Sequence, residues 1–392
     1  MSENRATDMS IAFDDIGPER VHHFYDPASG MRAALVIDTT VFRFSGGGVR
    51  MLPDVSLEEV ASLARAMTYK FAWLDLPVAG AKAGICFDAA SQDRNAVLEA
   101  FGRAAAPLLQ SRAYMCGADM GTDYHDVRRL RAAAGLAEEK VPLAMKQVEG
   151  LALEELVTGY GVVRAARTAL ELRGRDIAGA TLAVEGFGKV GAGCVRQARR
   201  EGARVVAVST LEGTRYDPSG LDVDRLLALR REVGDDAVLR YEGGELLAKE
   251  ALFGLPVDVL IPGARVGTID ARVAPEVQAE LIVPAGNAPV TPEADALLHS
   301  RGTTVVPDFV ANAGGVLLEV VDARGGAEAD AFATTAEVIA TNTARVLREA
   351  EKRNQTPLQA GIAIAREWLA EMRAAGRQGP EDLMQSEAGG GP

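Results

Sequence analysis

The stretch Leu182-Ala183-Val184-Glu185-Gly186-Phe187-Gly188-Lys189-Val190-Gly191 decides how this 392-residue chain is read. A short, largely apolar run stops at Gly186, and a helix-compatible run, Val195 to Arg200, follows Gly191. Strand, glycine turn and helix in that order, with Gly-x-Gly-x-x-Gly spacing, match the crossover that binds dinucleotides. In that reading Gly186 permits the tight turn, Gly188 lets backbone approach a pyrophosphate, and Gly191 lets helix and strand pack closely. The phosphates then meet the positive end of the helix. The plain alternative is a glycine-rich turn in any α/β protein. A second strand, Arg204 to Ser209, at the expected distance favours the first reading. A P-loop is excluded, because Lys189 is followed by valine rather than Ser or Thr.

Downstream, the pattern stays α/β. A helix over Leu221–Arg231, strands over Val257–Ile261, Leu281–Val283 and Thr303–Val306, and a helix opened by Thr291-Pro292-Glu293 alternate along the chain. Such alternation predicts a parallel, doubly wound sheet. Ligands of these sheets sit beyond the C-terminal strand ends, where Gly186, Asn287 and Asn312 fall. Upstream, a long helix over Ala152–Arg173 carries Thr158 and leads into the glycine-turn strand. Two helices, Ala329–Lys352 and Thr356–Arg373, close the pattern.

The first half reads less regularly. His22–Tyr25 and Met31–Asp38 look like strands, and Ser45-Gly46-Gly47-Gly48-Val49-Arg50 reads as a flexible segment that turns or wraps a ligand. Ser56-Leu57-Glu58-Glu59 is a capping box, opening a helix to Trp73 with apolar residues at helical spacing. Lys70 lies late in that helix. Lys82 follows in a run of glycines and alanines expected to be a loop. With no long neighbours, Lys82 can lose its hydration, which lowers an ammonium pKa and suits acid–base work near neutrality. An exposed loop lysine is the other reading of the same residues. Asn95–Leu109 reads as one helix, and Ala113–Gly117 as a strand. Asp119, just beyond that strand, is a candidate catalytic carboxylate, whereas Asp123 reads as the cap of a helix over Tyr124–Ala134.

Little periodicity marks residues 136–150, which places a domain boundary there. The expected organisation is an α/β fold of two domains, 20–148 and 149–340, with helices in 341–375 packing back on the first. Residues 1–19 and 376–392 are expected to be disordered.

At 48% hydrophobic and 25% charged residues the chain reads as a soluble globular protein. A net charge of −13 argues against nucleic acid as a partner, which needs a basic face. No apolar run approaches the ~20 residues that span a bilayer, and no leader is recognisable, so the expected location is the cytoplasm. Three scattered cysteines suit a reducing compartment, and neither they nor the four histidines have the spacing of a metal site.

Taken together, Gly47-Gly48-Val49-Arg50, Met67-Thr68-Tyr69-Lys70, Gly80-Ala81-Lys82, Ala118-Asp119-Met120-Gly121, Gly186 to Gly191, Thr291-Pro292-Glu293-Ala294-Asp295 and Ala311-Asn312-Ala313-Gly314-Gly315 resemble the glutamate/leucine/phenylalanine/valine dehydrogenase superfamily. The likeness covers roughly residues 25–370, with the blocks in the right order. It implies an N-terminal α/β domain for substrate and oligomer contacts and a Rossmann-type dinucleotide domain. It also implies reversible oxidative deamination of an L-amino acid to a 2-oxo acid and ammonia, with NAD or NADP, by a homo-oligomer. By position, Lys70 is implied to hold the substrate α-carboxylate and Lys82 to activate water and stabilise the intermediates. Asp119 is implied to relay protons, and Asn312 to sit by substrate and nicotinamide. Thr158 is implied to hydrogen-bond the carboxamide. Gly47 and Met67 fall to the substrate pocket, and Gly186, Phe187, Gly188, Lys189, Val190, Gly191, Thr210 and Asn287 to the cofactor.

The chain departs from the family pattern at several points. Ala79, Ala81 and Ala83 stand where glycine is usual, and their methyls are expected to crowd a tight loop. Ser209-Thr210 replaces the acid expected beside the ribose, and Arg204 and Arg215 are near it only in sequence, so NAD and NADP both stay open. Glutamate-specific members carry a lysine where this chain has Gly46, a polar amide at Met67 and a small hydroxyl at Glu319. A buried, unpaired Glu319 would repel a glutamate side chain, and the other reading is that Glu319 turns away or pairs with a nearby arginine. The resemblance therefore implies a neutral or cationic side chain on the substrate. A glutamate dehydrogenase with a rearranged pocket, and a non-catalytic binding protein on the same fold, are the alternatives.

Overall fold

The computed structural model describes residues 11–136, 140–148 and 150–376. The expectation of disorder at both ends falls partly on residues 1–10 and 377–392, outside the described residues. The chain forms two compact units, one of residues 1–140 with 365–392, the other of residues 141–364.

The first unit is built on strands β1 (Arg20–Asp26), β2 (Met31–Ile37) and β3 (Ser45–Leu52), helix α1 (Leu57–Trp73) and strand β4 (Ala79–Cys86). Helices α2 (Arg94–Ala104) and α3 (Ala106–Gln110), strand β5 (Met115–Ala118) and helix α4 (Tyr124–Ala133) follow. The strands form one sheet in the order β1-β2-β4-β3-β5, parallel from β4 to β5 and antiparallel at β1 and β2. One helix over Asn95–Leu109 was expected; two form, because Pro107 cannot donate to the ladder and its ring crowds the preceding turn.

Two expected loops are strands at the sheet's centre. β3 and β4 contain few β-formers, yet they pair along most of their length. Alternation sends Val49, Met51, Ala81, Ala83 and Ile85 into a core with Leu98, Phe101 and Leu130 of α2 and α4. Gly80 faces α1, and the approach is so close that a Cβ there would lie 2.2 Å from the Ala64 carbonyl oxygen. Ala81 and Ala83 thus fill a core and do not crowd a loop.

Residues 11–19 are held in place rather than loose. Asp14 pairs with Arg65 of α1 at 2.7 Å, and Arg366 of the final helix pairs with Asp15.

The second unit begins with a two-stranded ribbon, β6 (Gln147–Val148) and β7 (Leu151–Ala152), and helix α5 (Leu153–Glu171). Strand β8 (Thr181–Glu185), helix α6 (Lys189–Arg200) and strand β9 (Arg204–Thr210) make the crossover, continued by β10 (Gly213–Tyr216), α7 (Val223–Val233), α8 (Ala237–Arg240) and β11 (Glu245–Leu247). Next come β12 (Val259–Ile261), β13 (Leu281–Ile282), α9 (Pro292–Ser300), β14 (Thr304–Val305), α10 (Asp308–Ala311), α11 (Gly314–Ala323), α12 (Glu328–Arg353) and α13 (Pro357–Ala375), whose later residues belong to the first unit. The sheet order is β11-β10-β9-β8-β12-β13-β14. Five strands, β9 to β14, are parallel as expected, while β10 and β11 add an antiparallel edge. Strand order reverses beside β8, so the crossover's glycine turn opens at a switch point, where such sheets bind ligands. No described helix is long and apolar enough to cross a membrane.

Candidate active site

In the first unit, β4 carries Lys82 on the same face as Gly80 and Gly84, and β3 carries Arg50 on the matching face. Asp119 lies immediately after β5, the neighbour of β3. These three strands bring Lys82 Nζ to 3.1 Å and Arg50 Nε to 2.8 Å from one oxygen, Asp119 Oδ2. Arg50 Nη1 also meets Glu59 of α1 at 2.5 Å. Gly48 lines the group, since a Cβ on it would stand 2.7 Å from Asp119 Cβ and 3.2 Å from Lys82 Nζ. The Asp119 backbone N–H donates to Thr122 Oγ1 at 3.0 Å, and that hydroxyl donates to the Val49 carbonyl at 2.7 Å, which fixes the loop.

Lys82 is buried, so it is not the exposed loop lysine of the alternative reading. Burial pushes its ammonium pKa down, against the pull of Asp119. Burial by itself would raise the Asp119 carboxyl, but Lys82 and then Arg50 outweigh it and hold the group well below the usual carboxylate range. The arrangement is a desolvated lysine paired with an ionised carboxylate, suited to passing a proton between them.

On α1, Lys70 and Met67 are both buried. Met67 adjoins Gly47, whose Cβ would lie 3.5 Å from Met67 Cγ. At Gly46 the surroundings are apolar: a Cβ would meet Phe71 Cζ at 3.1 Å and Val78 Cγ1 at 3.5 Å.

In the second unit the glycine turn has three distinct geometries. Gly186 takes φ +83°, open to few L side chains. A Cβ on Gly191 would lie 2.0 Å from the Gly186 carbonyl oxygen, so only glycine permits this approach of α6 to β8. A Cβ on Gly188 would meet nothing within 4 Å, so the space beside it is free. Gly188 caps α6, which begins at Lys189, six residues before the Val195 of the sequence pattern. Phe187 is buried beneath the turn, and Lys189 and Val190 begin the helix. An anionic group beside Gly188 would meet the first free N–H groups of a twelve-residue helix.

Asn312 follows α10 and is buried. Its Nδ2 donates to the Gly286 carbonyl at 2.8 Å and stands 3.3 Å from Asn287 Oδ1. Its Oδ1 is buried with no hydrogen-bond partner among the described residues, an acceptor left for a donor such as a carboxamide or amino group. Thr158 of α5 adjoins the same segment, its Oγ1 3.2 Å from where a Cβ on Gly315 would be. Thr210 ends β9 and donates its hydroxyl to the Asp235 carbonyl at 2.9 Å.

Glu319 is exposed on α11. Water screens it, so the expected buried, unpaired repulsive carboxylate does not exist in this form. Arg50 and Glu59 were given no role from sequence. The signal was Arg50's place in Gly47-Gly48-Val49-Arg50, on the same face of a strand as Gly48. Among the described residues, no three or more His, Cys, Asp or Glu side chains gather as a metal site.

The glutamate/leucine/phenylalanine/valine dehydrogenase profile matches residues 150–376, and the dimerisation-domain profile of the same family matches residues 18–133. The chain belongs to the Glu/Leu/Phe/Val dehydrogenase family. Among its relatives, NADP-specific glutamate dehydrogenase A1 of Halobacterium salinarum is 36% identical over 69% of this chain and 66% of its own length. Glutamate dehydrogenase of Thermotoga maritima is 37% identical over 69% of this chain and 67% of its own. The chain thus spans about two thirds of the curated relatives it matches. NAD-specific members occur too, such as glutamate dehydrogenase A of Halobacterium salinarum at 32% identity, covering 69% of this chain and 63% of its own. Among solved structures, the hetero-hexameric glutamate dehydrogenase of Thermus thermophilus, in its Leu-bound form, aligns over 91% of this chain and 89% of that one, with TM-score 0.79 and 30% identity. The family's dinucleotide is NAD or NADP, and the turn at Gly186–Gly191 fits such a group.

Proposed function

We propose that this protein is an amino-acid dehydrogenase that converts an L-amino acid with an uncharged or cationic side chain to its 2-oxo acid and ammonia, reversibly. The observation that carries the reading is buried Lys82 in contact with ionised Asp119. Gly186–Gly191, Thr158, Thr210, Asn287 and Asn312 are the residues that would hold NAD or NADP, which supplies the hydride acceptor when bound.

The chain's own residues account for the proton traffic. Lys70 neutralises the substrate α-carboxylate. Asp119 takes a proton from the substrate ammonium, leaving the amine lone pair free to form the imino group as hydride departs. Lys82 in its amine form then takes a proton from water as the oxygen bonds to the imino carbon, and the resulting ammonium faces the carbinolamine oxygen. Asp119 returns its proton to the nitrogen. The carbon–nitrogen bond breaks, the departing ammonia takes the carbinolamine hydroxyl proton and leaves as ammonium, the 2-oxo acid forms, and Lys82 passes its proton to water.

Support for a non-acidic side chain comes from Gly46, Phe71, Val78 and Met67, an apolar group offering no cation to a distal carboxylate. The relatives' names favour glutamate instead, and this is the rival reading. Comparing kcat/KM for glutamate with leucine, valine, phenylalanine, tryptophan and lysine, with both dinucleotides, tests it. A higher value for glutamate overturns the side-chain assignment, and no turnover with any of them favours a binding protein on this fold. The dimerisation-domain match supports a homo-oligomer. Cys86, Cys116 and Cys194 form no disulfide, which supports a reducing, cytoplasmic setting.

A further inference from the structure

At the end of β9, where the acid that meets the ribose 2′-hydroxyl usually stands, this chain has Ser209 and Thr210, and the next acid, Glu212, is exposed two residues beyond the strand, so another group must set the preference between NAD and NADP. Neither arginine near it in sequence is placed to do so. Arg204 is the first residue of β9, at the opposite end from Thr210. Arg215 is buried and spends its guanidinium on the Val238 carbonyl, at 2.9 Å from Nε and 2.7 Å from Nη2.

The last turn of α7 offers another cation. Arg230 Nε donates to the Phe187 carbonyl, inside the glycine turn, at 3.0 Å. Five residues on, the Asp235 carbonyl accepts from Thr210 at the end of β9. This end of α7 therefore bridges the glycine turn and the β9 terminus, the two features between which a Rossmann-type fold seats the adenosine ribose. The Arg230 side chain is only 18% exposed, and Glu155 Oε1 stands 4.0 Å from its Nη2, beyond hydrogen-bond reach. Among the described residues its two terminal nitrogens make no hydrogen bond. A guanidinium held by Nε, whose fork makes only the long ion pair with Glu155, matches the geometry of a phosphate monoester.

Resting on the dinucleotide-dependent reading above, we propose that Arg230 binds the 2′-phosphate of NADP, and that this chain prefers NADP to NAD. Glu212 beside Thr210, and Asp235 and Asp236 after α7, are exposed, so water and salt weaken their repulsion more than they weaken the shielded Arg230.

Isothermal titration of the purified full chain with NADP+ and with NAD+ tests this without turnover. Wild type should bind NADP+ more tightly. Arg230→Gln can still donate to Phe187, and losing the charged contact should weaken NADP+ by roughly tenfold to a hundredfold while NAD+ changes little. Arg230→Lys should keep part of the preference, and added salt should weaken NADP+ more steeply than NAD+ in the wild type. Equal or tighter NAD+ binding by the wild type, or proportional loss of both ligands in Arg230→Gln, overturns the inference and leaves Arg230 as a strut for the turn. If Arg230→Gln does not fold, the wild-type preference and its salt dependence decide alone. Failure to bind either dinucleotide would instead remove the underlying dehydrogenase reading.

Discussion

Two buried cations, Lys82 and Arg50, converge on a single carboxylate oxygen of Asp119, and the charge balance of the first unit's site depends on that residue. Asp119→Asn should therefore do more than stop proton relay. It leaves Arg50 with Glu59 alone and Lys82 with no carboxylate in contact, a loss of up to about 3–5 kcal/mol. The sign with pH follows from Lys82, whose pKa burial lowers. Its charged form is the costly one, so the variant should be weakest at low pH and recover as pH rises and Lys82 sheds its proton. The wild type also loses stability towards acid, but in a lower pH window. Asp119 has its pKa lowered by folding, so the stability it contributes is present above the unfolded value of about 3.9 and lost as pH falls below it. Urea denaturation of both proteins across pH reads this directly, and parallel profiles would count against it. Lys82→Ala should cost at least ~10²-fold in turnover while dinucleotide affinity stays near wild type. Near-normal turnover would take Lys82 out of the mechanism.

Among the elements, the glycine turn separates two roles that the spacing alone leaves merged. Gly188 faces free space, so Gly188→Val should melt close to wild type yet bind NAD and NADP at least roughly tenfold more weakly. Gly191 abuts the Gly186 carbonyl, so Gly191→Ala should cost about 1–3 kcal/mol of stability as α6 is pushed off β8. Thermal melting combined with dinucleotide titration distinguishes them; identical effects of the two substitutions would contradict the geometry. This turn was legible in the sequence because each glycine answers a backbone constraint, as were α1 and α5, whose apolar residues recur at helical spacing. β3 and β4 were not. Ser45–Leu52 and Ala79–Cys86 are rich in Gly and Ala, and local preference reads them as loops. Their pairing is imposed by α1, which lies almost on the backbone at Gly80, a contact between residues sixteen apart that no local pattern reports. The same blindness hid Arg50, because its partners come from a strand end and a helix elsewhere in the chain. It also left open whether Glu319 lines a pocket or turns away, and its exposed place on α11 fits the second.

Across the whole molecule, the final helix closes the first unit. Trp368 of α13 donates its indole N–H to Asp75 at 2.8 Å and packs on Phe42 at 5.5 Å between ring centroids, while Arg373 reaches Glu19. The chain's two tryptophans, Trp73 and Trp368, both belong to this unit. In Trp368→Ala, the fluorescence of Trp73 should report unfolding of the first unit at lower denaturant, with a loss of about 1–3 kcal/mol. Dinucleotide binding by the second unit should persist there, and its simultaneous loss would show that the units melt together.

That closure also orders events at the ribosome. Strands β1 to β5 emerge early, but the segment that completes their unit lies after residue 364, beyond the whole of the second unit. At about 5–20 residues per second, the wait is on the order of ten to forty seconds. The second unit's segments are contiguous, so it can finish folding first, inserted into a partner that is still incomplete. During that interval Phe42, Asp75 and the segment around Asp14, Asp15 and Glu19 lack the helix they pack and pair with, and a chaperone would have the first unit to shield until it arrives.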